Sequence, residues 1–402
     1  MSMQVWLLVD GRRYGGWLSV SISASINRQA RAFGVACTYD TPEGLTSLTL
    51  KAGSALQVFI GDNLICSGYI DQAAVSYDSG QIAVQVSGRS KTCDLVDCCP
   101  APPGTSIPSL QRSWASQPPE DAQPSAVASA VWTWQGCTVE QIITELAAPY
   151  GISVRVLSSE LANKLTNFTV TPGQTVFQCI QKLVTIANLV VCDDEQGSLV
   201  IAEPGSAGFA IDALISGANI LSAEAANDVS QLMSSYQVLG QHQGGDDITP
   251  SDSCSDEGLT ADSAVGRPRF LTIVDAGQQT SIDQCQQQAD FEAAYRLAQS
   301  QKFTVTVQGW TQSTGELWKI NSLVQVDDSI IDRHGQFLIT DAEYSLDDSG
   351  SLTRLTLMPL EGYRAKAATI TPQKSTTKKA AASSGAAGSS QWADVKPIER
   401  DK

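Results

Sequence analysis

Apolar and polar residues alternate most plainly between residues 303 and 359. Phe303-Thr-Val-Thr-Val-Gln has the period of two that marks a half-buried strand. Gly309-Trp310 ends it, Leu323-Val-Gln-Val predicts a second strand, and residues 337–346 a third. Asp347-Asp-Ser-Gly is a turn, because Asp and Gly tolerate the backbone angles of a tight reversal. Leu352-Thr-Arg-Leu-Thr-Leu returns as a fourth strand, so the stretch reads as an antiparallel meander.

The pattern occurs once before. Leu56-Gln-Val-Phe-Ile precedes a Gly61-Asp-Asn turn and Leu64-Ile-Cys-Ser-Gly-Tyr-Ile. Val75-Ser-Tyr and Ile82-Ala-Val-Gln-Val then flank a second turn. Tyr77-Asp-Ser-Gly-Gln-Ile sits in this run as Leu346-Asp-Asp-Ser-Gly-Ser-Leu sits in the later one. Asp-Ser-Gly hairpins are common in all-β chains. The shared order of strand, turn, strand and turn predicts more, a β domain duplicated at the two ends of the chain.

Ahead of the first meander, residues 5–9 predict a strand and Asp10-Gly11 a turn. Residues 17–26 read as unbroken alternation, with Leu18, Val20, Ile22, Ala24 and Ile26 on one face. Trp17 and four serines occupy the other. Phe33-Gly-Val-Ala-Cys-Thr-Tyr continues the sheet. Between the duplicated parts the period changes to that of helices. Thr138 with Gln141 forms a capping box before Ile142, Ile143 and Leu146, and Gly151 stops that helix. Residues 152–156 predict a strand. Thr175 begins a second helix carrying Val176, Ile180, Leu183 and Val184. Leu189-Val-Val-Cys, a turn at Asp193-Asp-Glu-Gln-Gly197 and Leu199-Val-Ile-Ala make a hairpin. Residues 230–240 predict a strand entering the second large domain, and Ser281 caps a long helix over 282–300.

Three segments break the pattern. Residues 99–134 hold seven of the sixteen prolines, which lack a donor and fix φ, so they predict an extended connector. Residues 243–263 carry six acids and no base and predict a projecting, mobile insertion. Their spacing lacks the ligand order of an EF-hand. Residues 366–402, with seven basic and three acidic residues, predict a flexible basic tail in which Trp392 is the candidate anchor. The expected fold is α+β, mainly antiparallel β: two similar β-barrel-like tube domains with a small inserted α/β module. The expected boundaries are 1–98 for the first tube-like domain, 99–134 for the connector and 135–205 for the module. The second tube-like domain, with its long helix and acidic insertion, is expected over 206–365.

Composition narrows the function classes. The chain has 402 residues, 42% hydrophobic and 17% charged, with net charge −16. That argues against a protein built to coat nucleic acid or an anionic membrane. No apolar run approaches membrane-spanning length. Synthesis and assembly in a cytoplasm are expected. The ten cysteines form no Cys-x-x-Cys pair, and Cys37, Cys66, Cys179 and Cys192 lie in apolar patterns, where a free thiol acts as a small hydrophobe. Their spacing does not suit a zinc site.

Catalytic motifs are absent: no Gly-x-Ser-x-Gly elbow, phosphate-binding Gly-rich loop or His-Glu-x-x-His. Most His-based schemes reduce to His242, beside the acidic insertion, or His334, in the turn Asp332-Arg-His-Gly. Both read as solvated turn residues. No pair of carboxylates stands out for glycoside hydrolysis. The expectation is no enzyme, with no catalytic, cofactor-binding or metal residue.

An ordered set of short stretches resembles the baseplate hub proteins of Mu-like phage tails. It comprises Val9-Asp-Gly-Arg, Gly16-Trp-Leu-Ser-Val-Ser-Ile-Ser, Gly88-Arg-Ser-Lys-Thr-Cys-Asp-Leu-Val-Asp-Cys, Trp134-Gln-Gly-Cys-Thr and Ala148-Pro-Tyr-Gly-Ile-Ser-Val. It continues with Thr175-Val-Phe-Gln-Cys-Ile-Gln-Lys-Leu, Val307-Gln-Gly-Trp, Leu317-Trp-Lys-Ile-Asn-Ser-Leu-Val-Gln-Val and Tyr344-Ser-Leu-Asp-Asp-Ser-Gly. The proline-rich stretch, acidic insertion and basic tail depart from it. The resemblance implies a structural virion protein of the tail baseplate, without cofactors. It also implies a homotrimeric ring joining a hexameric tail tube or distal tail ring to a trimeric central spike. Other baseplate proteins surround it, and DNA passes through without specific binding. Two other classes stay open here. One is a cell-wall-degrading enzyme, which a zymogram would detect. The other is a peptidoglycan-binding module, which pull-down on insoluble cell wall would show.

Overall fold

The two alternating regions form strands of one sheet in the computed structural model. It describes residues 4–39, 50–78, 81–101, 133–158, 167–171, 173–186, 189–241, 256–279 and 282–364. The first region supplies β1 (Val5–Val9), β2 (Arg12–Tyr14), β3 (Ser19–Ser25), β4 (Ala32–Tyr39), β5 (Ala55–Ile60), β6 (Asn63–Tyr77) and β7 (Ile82–Ser90), then the short helix α1 (Cys93–Asp97). The middle supplies β8 (Thr133–Gln135), α2 (Val139–Ala147), β9 (Val154–Val156), β10 (Asn167–Thr169), α3 (Val176–Ile186), β11 (Val190–Asp193) and β12 (Leu199–Ala202). The last region supplies β13 (Leu214–Ile215), β14 (Ile220–Ala225), β15 (Ser235–Gln241), β16 (Asp256–Ala261), β17 (Phe270–Gln279), α4 (Ile282–Ser300), β18 (Phe303–Gln308), β19 (Leu323–Asp328), β20 (Arg333–Asp347) and β21 (Gly350–Met358). The α+β, mainly antiparallel expectation holds. Thirteen of the described strands join in one sheet whose path runs open from β14 to β2.

The duplication is visible in the pairing. In the first half the order is β3-β4-β7-β6-β5, and in the second β14-β18-β21-β20-β19. Chain order matches too, β3 to β7 against β14 and β18 to β21. The fourth strand of each unit in chain order is long and bulged. β6 slips register between Ile70 and Gln72, and β20 between Ile339 and Asp341. A bulge bends a strand and re-aims its ladder. So the first half of β6 pairs with β5, and its second half with β7. β20 divides itself between β19 and β21 in the same way. The sequence pattern reads 64–70 and 75–77 as separate strands because the bulge interrupts the alternation.

The halves are knitted by β3, which pairs antiparallel with β20 from Ser25↔Asp341 to Val20↔Leu346. One core cluster consequently runs through both, from Leu7 and Ile22 to Val305 and Leu355. The alternation expected over 17–26 holds only from Ser19. Trp17 is buried and Leu18 is 59% exposed, the reverse of the expectation. Leu18 N–H already donates to the Ala36 carbonyl, but residue-by-residue pairing with β4 begins only at Ser19, so strand parity does not extend back to Trp17.

The small module has its own core, built from α2, α3, the β9-β12-β11 sheet and the β8-β10 pair. Both helices start with reciprocal capping boxes. Gln141 N–H donates to Thr138 Oγ1 and Thr138 N–H to Gln141 Oε1, and Gln178 and Thr175 exchange the same bonds. The hairpin turn is corrected by one residue: Asp193 ends β11 and is buried, and the turn begins at Asp194. Asp194 accepts from the N–H groups of Gln196 and Ser198, an Asx turn that frees Asp193 to point elsewhere.

Two readings of residues 230–263 are also corrected. The strand expected at 230–240 is β15, and it belongs to a separate sheet, β16-β15-β17, packed on α4. Residues 256–261, read as part of an acidic loop, are strand β16, paired with β15 from Ser235↔Ala261 to Gly240↔Asp256. Gly258 lets β16 lie against the helix: a Cβ there would fall 2.2 Å from the backbone of Cys285. Acidic composition hid a strand whose fit depends on a missing side chain. Residues 243–255, the connector over 102–132, Ser281, Cys254, His242 and the tail over 366–402 with Trp392 lie outside the described residues.

Candidate assembly surface

The sheet has a packed face and an open face, and register identifies the residues on each. One row across the open face runs Gln72, Ser87, Gly34, Ser21, Ser345, Leu352 and Gln308. The next runs Arg89, Ala32, Ser23, Glu343, Arg354, Thr306 and Ser222. Most of these side chains are short and neutral. The charged ones pair within the face: Arg354 lies 3.6 Å from Glu224, and Ser21 Oγ donates to Glu343. Arg89 bonds Asp71 and, through both terminal nitrogens, Asp97. These bonds hold the Asp97 carboxyl below the usual carboxylate range. A surface of this kind spans both halves and offers few unpaired cations to a phosphate backbone.

The module is fixed to the first half by a buried ion pair. Arg31 follows the β3–β4 turn and is 7% exposed; Asp193 is 2% exposed. Arg31 Nε donates to Asp193 Oδ1 at 3.1 Å, Nη2 to the Asp193 carbonyl, and Nη1 to the Ile65 carbonyl at 2.7 Å. The Arg31 N–H also donates to Ser90 Oγ. Burial works against the Arg31 charge, and the carboxylates of Asp193 and Glu195 outweigh it, holding the guanidinium charged above its ordinary value. Gly197 completes the contact. Its φ of +79° is open to glycine, and a Cβ there would lie 2.8 Å from the Ser67 carbonyl oxygen. The module's exit is fastened by Asn321. Its Oδ1 accepts from Gly205 N–H, and its Nδ2 donates to the Glu203 carbonyl.

His334 is the second residue of β20 rather than a turn residue. It stands across from Asp327 with Nδ1 2.7 Å from Asp327 Oδ1, on an exposed part of the sheet. Among the described residues, no group of His, Cys, Asp or Glu is arranged to hold a metal ion. No helix among them is long and apolar enough to cross a membrane. Cys66, Cys179 and Cys192 are buried free thiols. Reading the sequence missed Arg31 with Asp193 and the β3–β20 seam. Arg31 sits in the polar run Asn27-Arg-Gln-Ala-Arg31 between strands, which gave no signal of burial, and nothing local marked the seam.

Comparison with known proteins gives three family matches in chain order. Residues 4–90 match the N-terminal domain of Mu phage baseplate assembly protein GpP-like proteins. Residues 125–203 match the second domain of gp44-like baseplate hub proteins, and residues 281–366 the fourth domain of Mu phage baseplate assembly protein GpP. The chain is 31% identical to baseplate hub protein gp44 of Escherichia phage Mu over 371 residues, 90% of this chain and 89% of that protein. The 43 kDa tail protein of prophage MuSo2 from Shewanella oneidensis superimposes with a TM-score of 0.71 at 26% identity, covering 90% of this chain and 99% of the other. A tail protein from Neisseria meningitidis MC58 shares the fold, with a TM-score of 0.72 at 20% identity, covering 91% and 99%.

Proposed function

The chain belongs to the Mu-like phage baseplate hub family and is a structural baseplate hub of a phage-type tail, and on that premise we propose that it works as a homotrimeric ring. The ring joins the hexameric tail tube, or the distal tail ring, to a trimeric central spike, and DNA passes along its axis. We assign the ring-forming units to residues 1–98 and 206–365, with 135–205 as a module on the outside. Assembly takes place in the host cytoplasm with other baseplate proteins, and the chain carries no catalytic role.

One observation carries this reading: a five-strand unit occurs twice in one chain and is joined into a single sheet through β3 and β20. Three copies then present six similar units around one axis, which suits a hexameric tube. The particle stays three-fold, which suits a trimeric spike. The small neutral side chains of the open face suit a channel wall, because a wall that DNA slides past must not hold phosphates. Light scattering at micromolar concentration should give three times the chain mass, and negative-stain images a three-fold ring with a central hole. A monomer, or a ring of another symmetry, would refute the proposal.

A further inference from the structure

The internal repeat allows the contact between neighbouring copies to be written down residue by residue. Equivalent positions follow from register alone. Phe33 pairs with Gly88, and Phe303 with Leu357; Val35 pairs with Val86, and Val305 with Leu355. On the next strands, Val20 pairs with Val35 as Ala223 pairs with Val305, and Ile22 with Phe33 as Ala225 with Phe303. β14 is therefore the second half's counterpart of β3. Past the bulges, Gln72 pairs with Ser87 as Asp341 pairs with Thr356, so Val75 corresponds to Tyr344 and Tyr77 to Leu346.

The equivalence exposes an asymmetry. In the second half, the stretch after the bulge of β20 is covered by β3, in the register Tyr344↔Ile22, Ser345↔Ser21 and Leu346↔Val20. In the first half, among the described residues, the stretch after the bulge of β6 pairs only with β7, since β5 reaches no further than Tyr69. Val75 and Tyr77 share the face of buried Val84 and Val86, yet they are 58% and 84% exposed. At one open end of the sheet path lies β14, where Leu221 is 56% exposed. Edge strands of proteins that stay single are usually blunted by charge or proline. Gln72-Ala-Ala-Val-Ser-Tyr carries neither, and β14 carries only Glu224.

We propose that these two edges are partners between copies: β6 of one copy pairs antiparallel with β14 of its neighbour. Transferring the β20–β3 register gives Val75 opposite Ala225, Ser76 opposite Glu224 and Tyr77 opposite Ala223 of the neighbouring copy. Each copy owns one edge of each kind, so the contact is head-to-tail and closes only as a ring. Ladder hydrogen bonds and covered apolar side chains supply the attraction. The inference rests on the ring reading and adds its joint.

The test is a paired-cysteine full-length chain, Ser76→Cys with Glu224→Cys, mildly oxidised or treated with a short bis-thiol reagent. The expected result is a covalent ladder ending at three chains on a non-reducing gel. Each single variant, which controls for the exposed native Cys99, should give none. Ser76→Cys with Ser222→Cys, two residues out of register, should crosslink at least tenfold less. In parallel, Val75→Lys with Tyr77→Lys should lower the light-scattering mass to one chain while the chain keeps its far-UV circular dichroism spectrum and a cooperative unfolding transition. Three-chain mass in the unsubstituted protein without a crosslink specific to the 76/224 pair, or with an unaffected double-lysine variant, overturns the joint and leaves the ring. A one-chain mass for the unsubstituted protein overturns both. Recovery of β6 paired with a different protein also overturns the joint.

Discussion

The two β halves follow one plan and meet different surroundings. Phe33 and Phe303 occupy equivalent positions and both are buried, as are Val35 and Val305. The connections differ. β3 reaches β4 through residues 26–31, whereas the equivalent β14-to-β18 connection spans residues 226–302 and holds β15, β16, β17 and α4. Close approach differs as well. A Cβ on Gly88 would fall 2.0 Å from the Tyr69 carbonyl oxygen, yet its counterpart is Leu357, fully buried. A duplicated ladder thus keeps its pairing and its apolar rows, and each copy is free to change loops, edges and local spacing.

The largest effect expected from breaking this comparison comes from the bolt that only the first half has. Asp193→Ala leaves the Arg31 guanidinium buried without its main partner and should destabilise by about 3–5 kcal/mol. Urea unfolding would measure it, and an unchanged midpoint would refute the role assigned to the pair. Phe33→Ala and Phe303→Ala sharpen the shared plan. Each removes a buried ring, at about 3–5 kcal/mol for that class, and equivalence requires the two losses to agree within about 1 kcal/mol of that range. Phe303 also packs edge-to-face on Phe337 at 4.9 Å between centroids, so any excess should fall on that side.

Gly88→Ala should cost about 1–3 kcal/mol or more by overpacking, with Leu357→Ala costing instead through a cavity. Crystal structures of the two variants would show strands β6 and β7 pushed apart only in the first. A pH-dependent loss should follow from thiols that lie outside the second half's sheet. Burial is the main cause pushing Cys66, Cys93 and Cys192 up to about 12 and Cys179 to about 11, against an ordinary value of 9.0. These thiols stay protonated in the folded chain, and the unfolded chain loses their protons first. Stability is therefore complete below about pH 9 and falls as pH rises toward 12, the window bounded by the two sets of values. Urea midpoints across that range, with rates of thiol alkylation, would check it; a flat profile would contradict the burial. The smallest effect is Thr138→Ala, which removes half of one capping box and should cost about 1 kcal/mol.

Local signals in the sequence determined much of this protein. The period of two marked β18 and β21, the Thr138 capping box marked α2, the apolar face after Thr175 marked α3, and the Asp-Ser-Gly turns revealed the repeat. Each depends on residues a few positions apart, so each is written in the chain itself. The tertiary structure alone decided the rest. Ser19 to Ser25 reads as a strand with a polar side, and only its pairing with β20 makes it the seam between halves. Asp193 reads as a turn residue until Arg31, far away in sequence, claims its carboxylate. Residues 256–261 read as an acidic loop until Gly258 meets Cys285. Such contacts join groups that chain proximity does not bring together. Burial sets their strength, and burial exists only once the distant elements have packed.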